Sequence, residues 1–238
     1  MSTGRSEALY THPDLPLPIR VRVHPRARRL KLRLDEGGRQ LTLTCPPRGS
    51  RRAALEWAGS QRDWVAARLA EATPAVPLEP GATIPVEGID TRLSWDPYGA
   101  RNVSHAGGEL RCGGPREGFS RRIESWLRTR ARDLLSADTA DCAARAGVSV
   151  RRVSIGDAGS RWGSCSASGS IRYNWRLVLA PPEVRRWVVA HEVAHRVHMN
   201  HGPAFKALEA ELFDGDAEAA RLLLRRIGPR LKGIGRRL

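Results

Sequence analysis

Fourteen residues, Val188 to His201, constrain this chain more than any other stretch. They read Val-Val-Ala-His-Glu-Val-Ala-His-Arg-Val-His-Met-Asn-His. On a helix, residues four apart are separated by about 40° around the axis, so His191 and His195 project from one face and can share a single ion. Glu192 lies about 100° round, beside such an ion rather than under it. A carboxylate there is placed to take a proton from a metal-bound water. The apolar approach Val188-Val189-Ala190 predicts a buried helix, the dry floor that a reactive site needs.

The spacing is the His-Glu-x-x-His arrangement of zinc hydrolases, whose catalytic sites use three protein ligands and leave the fourth position to water. A third ligand is therefore required, and His201 is the leading candidate. His198 ranks below it. It is close to His191 in angle but about 10 Å further along the axis, which suits a helix-end or supporting histidine. The expectation is one Zn2+ on neutral imidazoles of His191, His195 and His201, with Glu192 as general base. Two rival readings are histidines satisfied by core hydrogen bonds and a nucleic-acid-binding protein with a structural metal. Structural zinc is normally closed by cysteines, which disfavours the second. Metzincins share the His195-to-His201 spacing, but they carry glycine where His198 stands and need a later methionine turn. The methionines here are Met1 and Met199.

The chain has 238 residues, 41% hydrophobic and 27% charged, a balance that suits a soluble globular protein with a real core. No apolar run approaches the roughly 20 residues of a membrane span, and no apolar segment follows Met1-Ser2-Thr3-Gly4-Arg5, so the expectation is a cytoplasmic protein without a membrane partner. Cys45, Cys112, Cys142 and Cys165 are scattered and read as reduced thiols, Cys165 as a packing residue rather than a nucleophile. The net charge of +15 comes from arginine clusters at 20–33, 51–52, 121–132 and 221–237. Such a surplus favours a polyanion, nucleic acid above all, although arginine-rich composition alone gives the same count and no nucleic-acid module is recognisable.

Residues 1–18 read as a loose, proline-rich arm. A β-rich domain with one helix is expected over 19–114. Ile19, Val21 and Val23, then Leu30, Leu32 and Leu34, then Leu41 and Leu43 alternate with polar residues, which predicts a small antiparallel sheet with one basic face and a turn at Gly37-Gly38. Ser50 caps a helix that runs to about Thr73. Short strands follow, with a boundary at Gly113-Gly114-Pro115. Residues 115–238 read as a second domain. It has a long helix from about Ser120 to Ala146, three strands (148–155, 160–167 and 171–179), and the histidine helix opened by Pro181-Pro182. Another helix begins at Pro203, and a last one precedes a basic tail. Asp214-Gly215-Asp216 reads as capping, not as a calcium loop.

Arg161-Trp162-Gly163-Ser164-Cys165-Ser166, then Ile171-Arg172-Tyr173-Asn174-Trp175-Arg176-Leu177-Val178, then Val188 to His195 occur in one order that resembles the YgjP-like metallopeptidase family. The resemblance is close over residues 150–213. It implies an α+β, zincin-like domain, with a long helix, a three-stranded antiparallel sheet and the His-Glu-x-x-His helix, preceded by a small β-rich domain. It implies a zinc peptidase acting on polypeptide, and similarity to the SprT-like and WLM peptidases, some of which are associated with DNA-bound protein substrates. The family's third histidine stands in an Asn-His-x-x-x-Phe segment, here Asn200-His201-Gly202-Pro203-Ala204-Phe205. Val193, Gly202 and Lys206 depart from the family's common residues without touching the proposed ligands.

The upstream motifs read as support for the site. A strand edge there could receive an extended substrate. Arg161, Trp162, Tyr173 and Asn174 could face that cleft, with Tyr173 or Arg161 stabilising an oxyanion. Core packing is the competing reading for Trp162, and a structural hydrogen bond or ion pair for Arg161 and Asn174. A zinc-dependent hydrolase of a nucleotide phosphoanhydride is the alternative activity, with the arginines in place of a phosphate loop.

Overall fold

A computed structural model describes residues 9–35, 40–70 and 75–236. The chain divides into two compact units, Met1–Pro74 and Ala75–Leu238. Both are mixed α and β.

The first unit is a four-stranded sheet followed by two helices. Strands β1 (Leu9–Tyr10), β2 (Ile19–Val23), β3 (Lys31–Leu34) and β4 (Leu41–Cys45) lie in the order β1-β2-β4-β3. The expected antiparallel sheet is in fact mixed, because β2 runs parallel to β4 while β3 pairs with it antiparallel. Alternation fixes which side chains share a face but not the sense of pairing, which the crossover from β2 through β3 decides. Ile19, Leu32, Leu41 and Leu43 are buried on one face. On the other, Arg20–Thr42–Arg33 and Arg22–Thr44–Lys31 form two cross-strand rows.

The expected single helix is two, α1 (Arg51–Ser60) and α2 (Arg62–Ala70). The Ser60 hydroxyl donates to the Trp57 carbonyl at 2.7 Å, and the chain bends at Gln61. The described part of the expected arm is anchored: β1 pairs with β2, Leu15 is buried, and the His12 ring fills the space beside Gly59. The turn at Gly37-Gly38, the helix end near Thr73 and residues 1–8 lie outside the described residues.

In the second unit, β5 (Thr83–Val86), β6 (Ile89–Asp96), β7 (Ser104–Ala106) and β8 (Glu109–Gly113) form a sheet in the order β5-β6-β8-β7. Its two outer pairs are antiparallel and its central pair parallel, the same topology as the first sheet. The sequence reading groups 75–114 with the amino-terminal domain. Here Leu78, Ile84, Val86, Leu93, Leu110 and Cys112 share one core with α3 (Phe119–Arg145) and the histidine helix. Glycine and proline at 113–115 mark a turn within this unit rather than its border.

The three later strands, β9 (Arg152–Gly156), β10 (Gly163–Cys165) and β11 (Ser170–Asn174), are shorter than expected and not wholly antiparallel. In the order β10-β11-β9, β11 pairs antiparallel with β10 and parallel with β9. Strand β11 stops at Asn174, whose side chain accepts the Arg176 N–H at 2.9 Å and caps a buried 3-10 helix, Trp175–Leu179. Then come α4 (Pro182–Ala194), α5 (Pro203–Phe213) and α6 (Ala217–Gly233). Asp216 caps α6 by accepting the Ala219 N–H at 2.9 Å, and Asp214 sits in a left-handed conformation at the end of α5. Among the described residues no helix is long and apolar enough to cross a membrane.

One buried ion pair ties α4 to the rest of this core. Arg185 donates to Asp138 on α3 at 2.7 Å, and Glu87 approaches both Arg185 (3.6 Å) and Arg130 (2.7 Å). Removing one partner of a buried pair strands the other charge in a poor dielectric. With Glu87 still beside Arg185, Asp138→Asn should cost about 1–3 kcal/mol of stability, read as a lower urea midpoint at constant m. A loss below about 0.5 kcal/mol would show that Arg185 is not held by this carboxylate.

Candidate metal centre and catalytic carboxylate

The last turn of α4 and its C-cap, His195, carry the site. Val184, Val188, Val189 and Val193 bury the helix, so its remaining face presents His191 and His195 to a half-open hollow. The chain leaves the helix at His195, and the loop through His201 brings a third ring back over the first two. Phe205, buried on α5, supports all three, with ring centroids 4.7 to 5.1 Å from theirs.

One ligand atom from each of His191, His195 and His201 lies within 4.8 Å of the others. The Nε2 atoms of His191 and His201 are 3.3 Å apart. Two nitrogens bound tetrahedrally at 2.0–2.1 Å to one ion would stand about 3.3 Å apart, a separation the His191–His201 pair already has. The opposite edges are engaged. Nδ1 of His191 meets the Glu209 carboxylate at 2.7 Å, and Nδ1 of His195 meets the His198 carbonyl at 3.1 Å. Each contact fixes a tautomer whose Nε2 carries the lone pair. His198 thus takes part through its backbone. Burial pushes His195 below its ordinary pKa, with His191 and His201 acting in the same direction, which favours the neutral ring a metal needs.

Glu192 is 6% exposed. Burial pushes its carboxyl up to about 7, against the charges of His191 and Arg161 and a hydrogen bond from the Cys165 amide, which pull it down. The carboxyl occupies the space beside Gly163, where a Cβ would overlap it. Strand β10 has one open edge. The bonds Asn174 N–H to Trp162 C=O (2.8 Å) and Ser166 N–H to Ser170 C=O (2.9 Å) place the even-numbered residues on the β11 side. The amides of Gly163 and Cys165 therefore face the outer edge, where the Cys165 N–H donates to Glu192.

The expected cleft residues do not all face the site. Tyr173 is buried, its hydroxyl pairs with Thr139 at 3.0 Å, and burial pushes the phenol further up, so it is a core residue and no oxyanion donor. Alternation carried this signal, since Ile171 and Tyr173 share a face that Arg172 does not. Asn174 caps the 3-10 helix and donates to the Ala158 carbonyl at 2.9 Å. Trp162 packs against Gly228 of α6, with the Lys232 ammonium 5.3 Å from its ring centre. Arg161 is exposed and acts on Glu192 through its charge. Sequence reasoning missed Glu209, which lies on α5 with no fixed spacing to His191, and it missed the room that Gly163 makes. Burial and Arg196 act in opposite directions on the Cys165 thiol, and burial wins, leaving it a poor nucleophile.

The family model described as "YgjP-like, metallopeptidase domain" matches residues 28–226. A comparison with curated proteins found no match. Among solved structures the chain is similar to the metallopeptidase zymogen of Pyrococcus abyssi abylysin. The identity is 22%, over 43% of this chain and 95% of that one, and the TM-score is 0.34.

Gly163→Ala should destabilise the protein by about 1–3 kcal/mol, because the added methyl must displace the buried Glu192 carboxylate or the strand. Gly163→Ala combined with Glu192→Ala should recover most of that loss in denaturant unfolding. Equal losses in the single and double variants would separate the two residues.

Proposed function

Because this chain belongs to the YgjP-like metallopeptidase family, we propose that it is a zinc-dependent endopeptidase of zincin layout, with His191, His195 and His201 as ligands and Glu192 as general base. The observation that carries this reading is the convergence of three imidazole nitrogens beside a buried carboxylate. The donor set fits: three imidazole nitrogens are the ligand number of catalytic zinc, and among the described residues no cysteine joins them. When bound there, zinc supplies a Lewis acid for the scissile carbonyl and brings the pKa of a water toward about 7.

The chain's own residues do the rest. Glu192 takes a proton at its carboxylate oxygen and later returns it to the leaving amine, work suited to a group whose pKa the protein raises toward neutrality. Glu209 and the His198 carbonyl hold two rings in register. With the Cys165 N–H held by Glu192, the Gly163 N–H and the outward carbonyls of β10 offer an extended peptide an edge to pair with. Arg161 is the one expected cleft residue left to stabilise developing negative charge.

Metal analysis beside a peptidase assay tests this. Wild type should hold about one zinc per chain and His201→Ala much less. Glu192→Gln should keep the zinc while turnover falls roughly 10²–10⁴-fold. Undiminished turnover in that variant, with zinc verified, would remove Glu192 from the chemistry.

A second reading, hydrolysis of a nucleotide phosphoanhydride, is favoured by Arg161 and Arg172, which line a cavity beside Gly163. Assaying zinc-loaded protein against unfolded polypeptide and against nucleoside triphosphates separates the two.

Nucleic-acid-associated substrates are favoured by the polar face of the first sheet. Arg20, Arg22, Lys31 and Arg33 flank Thr42 and Thr44 there, with no acidic residue in the three strands. Binding to a DNA duplex should then weaken steeply as salt rises, and charge reversal at Arg22 and Lys31 should lower the log–log slope by roughly 2–4. Salt-independent or absent binding would leave the charge without this role.

A further inference from the structure

Behind strand β10 lies a cavity of about 130 Å³ in which the proposed peptide hydrolysis gives Arg172 no part. Arg161, Trp162, Ser164, Arg172, Asn174 and Asp157 line it. The alternation of β10 turns Gly163 toward Glu192 and Ser164 toward the opposite face, where Arg172 stands directly across from it. Gly156 on β9 leaves room for the Arg172 guanidinium, because a Cβ there would overlap it. The one carboxylate in the lining, Asp157, is already engaged by Arg176 and by Arg128 at 3.7 Å. Among the described residues neither Arg161 nor Arg172 is in an ion pair. Two guanidinium groups thus line one small hollow, Arg172 with no carboxylate in salt-bridge contact and Arg161 acting on Glu192 only at longer range.

We propose that Arg161 and Arg172 form a subsite that seats an oxyanion carried by the substrate. Guanidinium forks match the geometry of carboxylate and phosphate, and both side chains are exposed, within reach of an incoming group. The hollow has room for a carboxylate with a methylene or two or for a single phosphate group. A peptide paired along the outer edge of β10 sends alternate side chains to the two faces of the sheet. Those on the face away from Glu192 reach toward Arg172. The inference rests on the hydrolase reading for its substrate, but the arginine pair is a feature of the fold in its own right.

Peptides that differ only as Glu or Gln at one position, scanned along their length, test the subsite by two readouts. One is kcat/KM on zinc-loaded protein, and the other is fluorescence anisotropy on zinc-free protein. A further arm compares free-acid with amidated carboxyl termini, and another adds inorganic phosphate as competitor. At one position, or at the free terminus, the acidic peptide should be favoured roughly ten- to a hundredfold in at least one readout, with phosphate competing. Arg172→Gln should bring that ratio close to one, and Arg172→Lys should restore part of it. An internal Glu identifies a side chain as the source and the free terminus a main-chain carboxylate. Displacement by phosphate without any peptide preference points to a phosphoryl group. Cleavage without charge preference and without phosphate competition would overturn the subsite while leaving the hydrolase intact. Charge-dependent binding without cleavage would keep the subsite and sink the peptidase. An acidic preference that persists in Arg172→Gln, with the fold verified by circular dichroism, would also overturn the proposal.

Discussion

Two hydrogen bonds on the far edges of the imidazoles decide what the near edges can do. Glu209 holds Nδ1 of His191 and the His198 carbonyl holds Nδ1 of His195. Without them each ring could rotate or change tautomer, and the lone pairs would no longer meet. The fold answers to this constraint. α5 must lie against α4 to deliver Glu209 and Phe205, and the loop from His195 must double back to deliver both the carbonyl and His201. The buried Arg185–Asp138 pair and the valine face of α4 keep the helix itself from shifting.

The same packing prepares the carboxylate. Glu192 is buried because β10 closes over it, and it fits because residue 163 has no side chain. Burial raises the pKa of that carboxyl, while Arg161, His191 and the Cys165 amide keep it from rising further. Desolvation wins that balance because the group is enclosed while the opposing charges are partly exposed. A residue poised near neutrality is what proton transfer at ordinary pH requires. Glycine at 163 and valine at 193 are therefore as much a part of the arrangement as the histidines.

Sequence showed some of this plainly. His191 and His195 are legible because four-residue spacing on a helix has one geometric meaning, and α3 because apolar residues recur every fourth position from Phe119 to Leu135. His201 followed from the need for a third ligand and from the family segment that ends in Phe205. Glu209 did not, since a carboxylate on the next helix carries no spacing rule. The sense of the β2–β4, β6–β8 and β9–β11 pairs was hidden for a related reason, because alternation is identical in parallel and antiparallel strands. Tyr173 was legible but misread. Ile171 two residues earlier marks the inward face, and packing there outweighs any chemistry of the hydroxyl.

X-ray absorption on the zinc-loaded protein tests the central claim most directly. The account predicts a first shell of four light atoms near 2.0–2.1 Å, with the multiple scattering of three imidazoles and one exchangeable oxygen. A sulfur at about 2.3 Å, or a fourth protein ligand that closes the position against solvent, would contradict it.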